Sequence, residues 1–383
     1  MRAQARIATI IAATTLVVAT ASAAEVAIPK QISWTAYGTT SSGYAQSVGL
    51  GQMLKKRYDV DLRIIPGKND VSRMAPLRAG QSDICACGIA AYFAQEGVLM
   101  FADKAWGPMR IYNLFNNVGR NGQQAATAYD AEIRSAADLK GKRVTWVRGA
   151  DALNTNMTAM LAFGGLTWDD VTKVEVPGWK QSVEAVINGQ ADAVWGSTVS
   201  SAYNQLAASP RGVYLPPLPH ADTAAWERAR AVAPWWAPTT VSAAVVGTKN
   251  EMPYEGSNYP YPIFVVKHDT DDALAYGLTK AVMENYEEFK ESGPSMDGYQ
   301  LGNQNFSYVF PYHPAAVAYY KEKGVWTAAH DEHNTMLVRR QEVIAAAWEK
   351  MKAMDVADDA FRAEWMKLRA AALTEAGMPV IFN

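Results

Sequence analysis

One phrase occurs twice in this chain and restricts its fold more than any other feature. Ala79-Gly80-Gln81-Ser82-Asp83-Ile84 leads from a helical stretch into a short apolar run, and Asn188-Gly189-Gln190-Ala191-Asp192-Ala193 does the same in the second half. Each glycine suits the position just past a helix, where the backbone needs a positive φ, and the polar turn then hands the chain to a strand. The surroundings match too. Gln31–Tyr37 reads as a buried strand, followed by a small polar loop, a helix over residues 44–58, a strand over 61–65, a Pro66-Gly67 turn and a helix through Leu77. The second series starts with Asp138-Leu139-Lys140-Gly141 feeding a strand that ends near Val147, then Arg148-Gly149-Ala150-Asp151 and a helix over 154–163. Strands that alternate with helices predict parallel sheets, so the class is α/β, in two similar units. A chain of 383 residues is long enough for two domains with separate cores and a cleft between them.

Composition excludes several alternatives. With 49% hydrophobic and 19% charged residues the chain is an ordinary globular one. Its 36 basic against 38 acidic residues give net −2 with no basic run, which argues against nucleic acid as a partner. Cys85 and Cys87, the only cysteines, sit two apart, and this spacing predicts buried packing rather than a disulfide or redox chemistry. Arg2 and Arg6 precede an apolar stretch that ends at Ala21-Ser22-Ala23, the pattern of a cleaved secretory signal over residues 1–23. That stretch is shorter than the roughly 20 residues a membrane span needs, so the mature protein is expected in the periplasm. Residues 210–262, rich in Pro, Trp and Tyr, read as irregular connecting structure. Beyond residue 328 the pattern is helical, with Met336, Val343, Ala347 and Met351 forming one packing stripe and Phe361, Trp365, Leu368 and Ala372 another.

The most informative local chemistry is a small polar loop before a helix, once in each unit. Unpaired amides and the positive dipole end at such a place attract carboxylate or phosphate. The first loop supplies Gly38, Thr39, Thr40, Ser41, Ser42 and Gly43, and the second supplies Gly149, Ala150, Asp151, Asn154 and Thr155. Ordinary helix capping is the plain alternative for each. Arg148 follows a strand and is placed either to fork onto a ligand carboxylate or to pair with Asp151. Tyr37, Trp179, Trp195 and Ser197 lie near strand or turn ends, where they can wall a cleft or simply pack. Signatures of catalysis are absent: Gly49-Leu50-Gly51 lacks the third glycine of a dinucleotide loop, and His330 and His333 lack further ligands at metal-binding spacing. No cofactor, metal or enzymatic activity is expected.

Several phrases taken in order resemble the TAXI family, the solute receptors of tripartite ATP-independent periplasmic (TRAP) transporters. They are the loop from Gly38 to Tyr44, the Gly-x-x-Asp turns at Gly80 and Gly189, Asp138-Leu139-Lys140-Gly141-Lys142-Arg143-Val144, and Tyr312-His313-Pro314 with Tyr319-Tyr320-Lys321-Glu322. The resemblance implies a periplasmic-binding-protein type II fold, with two lobes, two crossovers and a C-terminal helical extension. Lobe 1 is then expected over residues 24–122 and 260–325, lobe 2 over 123–259, and the extension over 326–383. It also implies closure on a small carboxylate-bearing solute, delivery to a TRAP membrane permease, and a ligand contact from the second loop through Asn69 and Asp70. This chain departs from the family where Lys68-Asn69-Asp70-Val71-Ser72 and Arg148-Gly149-Ala150-Asp151 replace Gly-Ser-rich loops. The same cleft would also serve a sensor that passes closure to a membrane histidine kinase.

Overall fold

The computed structural model describes residues 27–382, so the expected signal peptide lies outside the described residues. The first unit contains β1 (Gln31–Tyr37), α1 (Ser42–Tyr58), β2 (Asp61–Gly67), α2 (Asp70–Arg78), β3 (Ile84–Cys87), α3 (Ala90–Glu96) and β4 (Ile111–Asn116). The chain then crosses to β5 (Gln123–Ala128), β6 (Arg143–Val147), α4 (Asp151–Phe163), β7 (Thr172–Val176), α5 (Trp179–Ile187), β8 (Ala193–Ser197), α6 (Ser201–Ala208), β9 (Val213–Tyr214) and α7 (Thr223–Val232). A hairpin of β10 (Ala237–Val241) and β11 (Tyr254–Asn258) precedes the return crossing to β12 (Ile263–Lys267). There follow α8 (Asp272–Glu284), α9 (Tyr286–Phe289), α10 (Pro314–Glu322), and two long helices, α11 (Ala328–Lys352) and α12 (Asp358–Glu375).

The two main sheets have strand orders β2-β1-β3-β12-β4 and β7-β6-β8-β5-β9. Four of the five strands in each sheet run the same way, and one runs against them: β12 pairs antiparallel with β3 and β4, and β5 antiparallel with β8 and β9. The alternating pattern had suggested wholly parallel sheets. The reversed strand in each is the one that has just crossed from the other lobe, and its direction depends on where the crossover enters. Two sheets of this order, exchanging one strand each through two crossovers, constitute the periplasmic-binding-protein type II fold, here with helical C-terminal additions.

The repeated phrase does one job twice. Asp83 accepts hydrogen bonds from the Ser33 amide (2.7 Å) and hydroxyl (2.9 Å), and Asp192 accepts from the Arg143 amide and Nε, both at 3.0 Å. Each aspartate thus holds the early part of the second strand of its own sheet, β1 or β6. Gly80 and Gly189 have φ of +67° and +72°, the conformation that favours glycine before each turn. Asp192 is further paired with Arg143 Nη2 at 2.6 Å and Arg211 Nη2 at 3.1 Å.

Two regions differ from expectation. Residues 210–262 contain a helix and a hairpin, because β10 is an edge strand with a single partner, where Pro238 costs no sheet bond on the open side. Cys85 and Cys87 are joined by a disulfide. Alternate residues of a strand share a face, and their Cα atoms lie 5.1 Å apart, inside the bridging range of about 4.4–6.8 Å. The loop closed is so short that the unfolded chain loses little freedom, and noncovalent packing remains the main support.

The C-terminal helices dock on lobe 1 through Glu96, at the end of α3. Its carboxylate is fully buried and accepts from Arg340 Nε and Nη2, both at 2.7 Å, and from Arg369 Nη2. The two guanidinium groups hold Glu96 below the usual carboxylate range, although burial alone would raise it. Ile344, Ala347, Trp348 and Met351 of α11 pack on Phe361, Trp365 and Leu373 of α12. Met336, expected in this stripe, is 41% exposed.

Glu96→Gln removes the counter-charge of two buried arginines and is expected to cost about 3–5 kcal/mol, read as a fall in Tm. Asp192 has its carboxyl lowered to about 2; burial opposes this, and the bonds from Arg143 and Arg211 outweigh it. A lowered folded-state value means stability that is complete above the unfolded value, near 4, and lost as pH falls from about 4 towards 2. Asp192→Asn should therefore flatten the acid limb of a stability-against-pH curve by about 1–2 kcal/mol after allowance for solvent screening.

Candidate functional site

The carboxyl ends of β1, β3 and β8 point into the gap between the lobes, the place where α/β sheets bind ligands. A small cavity of about 30 Å³ lies there, room for one or two waters, so a solute can enter only as the lobes part around it. Lobe 1 contributes Tyr37, Ser41, Arg73, Gly88 and Ile89; lobe 2 contributes Gln123, Leu153, Asn156, Trp179, Trp195 and Ser197; Tyr259 and Tyr261 come from the return crossover. The wall is largely aromatic. Trp195 stacks on Trp236 with ring centres 5.0 Å apart, and the indoles of Trp235 and Trp236 both donate to Asn156 Oδ1, at 3.0 and 2.7 Å. Gly43 and Gly88 let the Tyr261 ring approach: a Cβ on Gly43 would stand 2.9 Å from its hydroxyl, and one on Gly88 would stand 3.2 Å from its edge. Burial pushes the Tyr261 phenol up to about 12 and raises Tyr37 and Tyr259 as well, so these hydroxyls stay protonated at neutral pH.

Asp70 is the hub. Completely buried, it accepts from Tyr37 Oη at 2.8 Å, Arg73 Nη2 at 2.7 Å and the Ala152 amide at 2.8 Å. The Arg73 guanidinium lies 3.6 Å from the centre of the Tyr37 ring. Desolvation works against its charge, and Tyr37 and Asp70 more than restore it, so Arg73 is held in its cationic form. Its Nε, like the Gln123 side-chain nitrogen, is buried without a hydrogen-bond partner.

The lobes meet through helix ends. Ala150, Gly178 and Ser200 stand at the N-cap positions of α4, α5 and α6, and none makes a side-chain capping bond. Lobe 1 supplies the missing acceptors: the Asp70 carboxylate for the Ala152 amide, the Lys68 carbonyl for the Trp179 amide at 3.1 Å, and the Thr40 carbonyl for the Ala202 amide at 3.2 Å. A cap of this kind contributes about 1 kcal/mol. Asn69 adds a bond to the Arg148 carbonyl (3.1 Å), the Asp70 amide one to the Gly149 carbonyl (3.0 Å), and the Met100 amide one to Asp151 Oδ2 (2.9 Å). The loop before α4 thus meets the loop at 68–70, while the loop before α1 meets the start of α6; the two loops singled out in the sequence have different partners across the gap.

Among the sequence candidates, Tyr37, Ser41, Trp179, Trp195 and Ser197 line the cavity. Gly38, Thr39 and Thr40 lie at a second, outer hollow with Lys68. Ser42 and Gly43 are buried in the first turn of α1, while Asn69, Asp70, Gly149 and Asp151 are lobe-to-lobe contacts. Asn154 ties Val147 down through both its amide atoms, and Ala150 and Thr155 are outside the cavity lining. Arg148 is corrected on both readings: its side chain is exposed and makes neither a cavity contact nor the pair with Asp151, because only its backbone faces lobe 1. An anion at the start of α4 is present, but it is the protein's own Asp70.

Sequence reasoning missed Arg73, Gln123, Asn156, Tyr259 and Tyr261. For Arg73 the signal was its place three residues after Asp70, one turn along a helix that begins at the gap. For the others no local signal existed, since they come from a crossover, a strand start and a helix interior.

These features define a two-lobed α/β protein with a small, mostly aromatic cavity at its lobe junction. The chain belongs to the NMT1-like family, whose profile matches residues 35–324. Among solved structures it is similar to an ancestral arginine-binding protein bound to arginine, at 14% identity and a TM-score of 0.43, over 70% of this chain and 97% of that one. It is also similar to the alkanesulfonate-binding protein SsuA from Xanthomonas axonopodis pv. citri bound to MOPS, at 14% identity and a TM-score of 0.42, over 82% and 98%. A third is an ABC transporter periplasmic binding protein from Brucella ovis with glutathione bound, at 14% identity and a TM-score of 0.42, over 72% and 78%.

Asp70→Asn leaves Arg73 buried without a counter-ion and weakens the cap on α4; a loss of about 3–5 kcal/mol is expected in denaturant unfolding. Arg148→Ala, on the exposed surface, should stay within about 0.5 kcal/mol of the parent in the same measurement.

Proposed function

We propose that this protein is a periplasmic solute receptor of the TRAP type, which encloses a small organic acid between its lobes and delivers it unchanged to a membrane permease. The observation that carries this reading is the mostly aromatic cavity walled by both lobes, with the buried Arg73 and Gln123 among its lining residues. The resemblance of the loops to TAXI receptors favours TRAP delivery. Lobe 1 is taken as residues 24–122 with 260–325, lobe 2 as 123–259, and residues 326–383 as an extension fixed to lobe 1.

Closure is the working step. The three caps that lobe 1 lends to α4, α5 and α6 form only when the lobes meet, and a ligand bridging the cavity adds its own contacts to that state alone. A differential affinity of about 5.5 kcal/mol turns a 1:99 closed-to-open ratio into 99:1. No covalent chemistry is required.

Thermal-shift screening of the mature chain against organic acids, sulfonates and amino acids should find a compound that raises Tm by several degrees, with compaction in small-angle scattering and recovery of the compound chemically intact. Steady conversion of the bound compound to a product would overturn the receptor reading in favour of an enzyme.

A further inference from the structure

We infer that the solute is an aromatic monocarboxylate without a charged amine, a class narrower than the organic acids proposed above and resting on that reading of the cavity. Three observations point the same way. The first is the balance of donors and acceptors. Arg73 Nε, from lobe 1, and the Gln123 side-chain nitrogen, from the start of β5 in lobe 2, are both buried and have no partner. A buried donor without a partner costs free energy comparable to a lost hydrogen bond, and a ligand acceptor reaching both would remove that cost in the closed state. A carboxylate has two oxygens, so one group can serve a donor from each lobe.

The second observation is the sign of the charge. Among the described residues, Arg73 is the cation of the lining and no aspartate or glutamate lines the cavity. Asp70, the nearest acid, has both oxygens occupied: one by Tyr37 and Arg73, the other by the α4 amide. An α-amino acid would therefore bring an ammonium group beside a guanidinium with no carboxylate left to receive it. The position where an amino-acid carboxylate would otherwise meet the start of α4 is already filled by Asp70.

The third observation is the wall itself. Tyr37, Trp179, Trp195, Tyr259 and Tyr261 present ring faces and edges, joined by Ile89 and Leu153. Aromatic walls of this kind favour a flat apolar body in stacked or edge-on contact. The indole nitrogens of Trp179 and Trp195 are spent on the Trp195 carbonyl (3.0 Å) and the Tyr259 hydroxyl (3.4 Å), so they do not solicit polar groups on that body.

The test uses the mature chain with phenylacetate, its neutral amide, phenylalanine and glutamate, followed by calorimetry and tryptophan fluorescence. Phenylacetate should bind and change the fluorescence, with the amide and both amino acids at least tenfold weaker. Gln123→Met removes that unpartnered donor, breaks no protein hydrogen bond of that nitrogen and buries no charge; it should weaken phenylacetate at least tenfold while the unliganded Tm stays near the parent value. Arg73→Gln should abolish binding, and its circular dichroism reports whether loss of the Asp70 pair has unfolded it. Binding of phenylalanine, glutamate or the amide as tight as that of phenylacetate would overturn the aromatic-acid inference and leave the cleft reading standing. Phenylacetate binding untouched by Gln123→Met would also overturn it. Failure of all four probes refutes this ligand class, and the wider screen with scattering then decides the receptor reading separately.

Discussion

The structure depends on one buried carboxylate. Asp70 holds the Tyr37 hydroxyl, neutralises Arg73 and caps α4 of the opposite lobe, so a single side chain ties the end of β1, the first turn of α2 and the entry to the cavity. A charge in that position is tolerated only because every one of its bonds is made. The cationic Arg73 is kept in the cavity wall by the same arrangement, and its remaining donor is left for a guest.

Capping across the gap extends this logic. Three helices of lobe 2 begin with residues that make no side-chain cap, and three acceptors of lobe 1 stand where caps are needed. Two of the three are backbone carbonyls, so the contact is set by how the loops after β1 and β2 are shaped rather than by which side chains they carry. When lobes part, those amides turn to water, an exchange of modest net free energy. The balance between the two states is thereby left open to a ligand of ordinary affinity. The C-terminal helices stand outside this exchange. Glu96 pins them to α3, whose other end supplies Ile89 to the cavity wall.

Much of the fold was legible because its signals are local. The Gly-Gln-x-Asp phrases marked two helix-to-strand turns, and in the structure both aspartates hold the strand next to their sheet's edge, β1 or β6. Burial patterns placed β1 at its observed bounds, and the polar loops were correctly found at helix starts facing the gap. The disulfide was missed because Cα separation, not sequence separation, decides bridging in a strand. The antiparallel direction of β5 and β12 was missed because it follows from the crossovers.

The candidate site divides in the same way. Sequence by itself determined the two α/β units, the polar loops at helix starts, and an apolar, aromatic lining at strand ends, since each follows from residue type and periodicity over a few neighbours. Only the tertiary structure decided which groups face the guest. Arg148 and Arg73 both follow a strand or turn near the gap, yet one is exposed and the other is sealed in, because the lobe-to-lobe contact passes between the backbone at 148–149 and the loop at 68–70. Likewise the anion at the start of α4 comes from a residue 82 positions away in sequence. Pairings over such distances are set by how two lobes close, which no local pattern encodes.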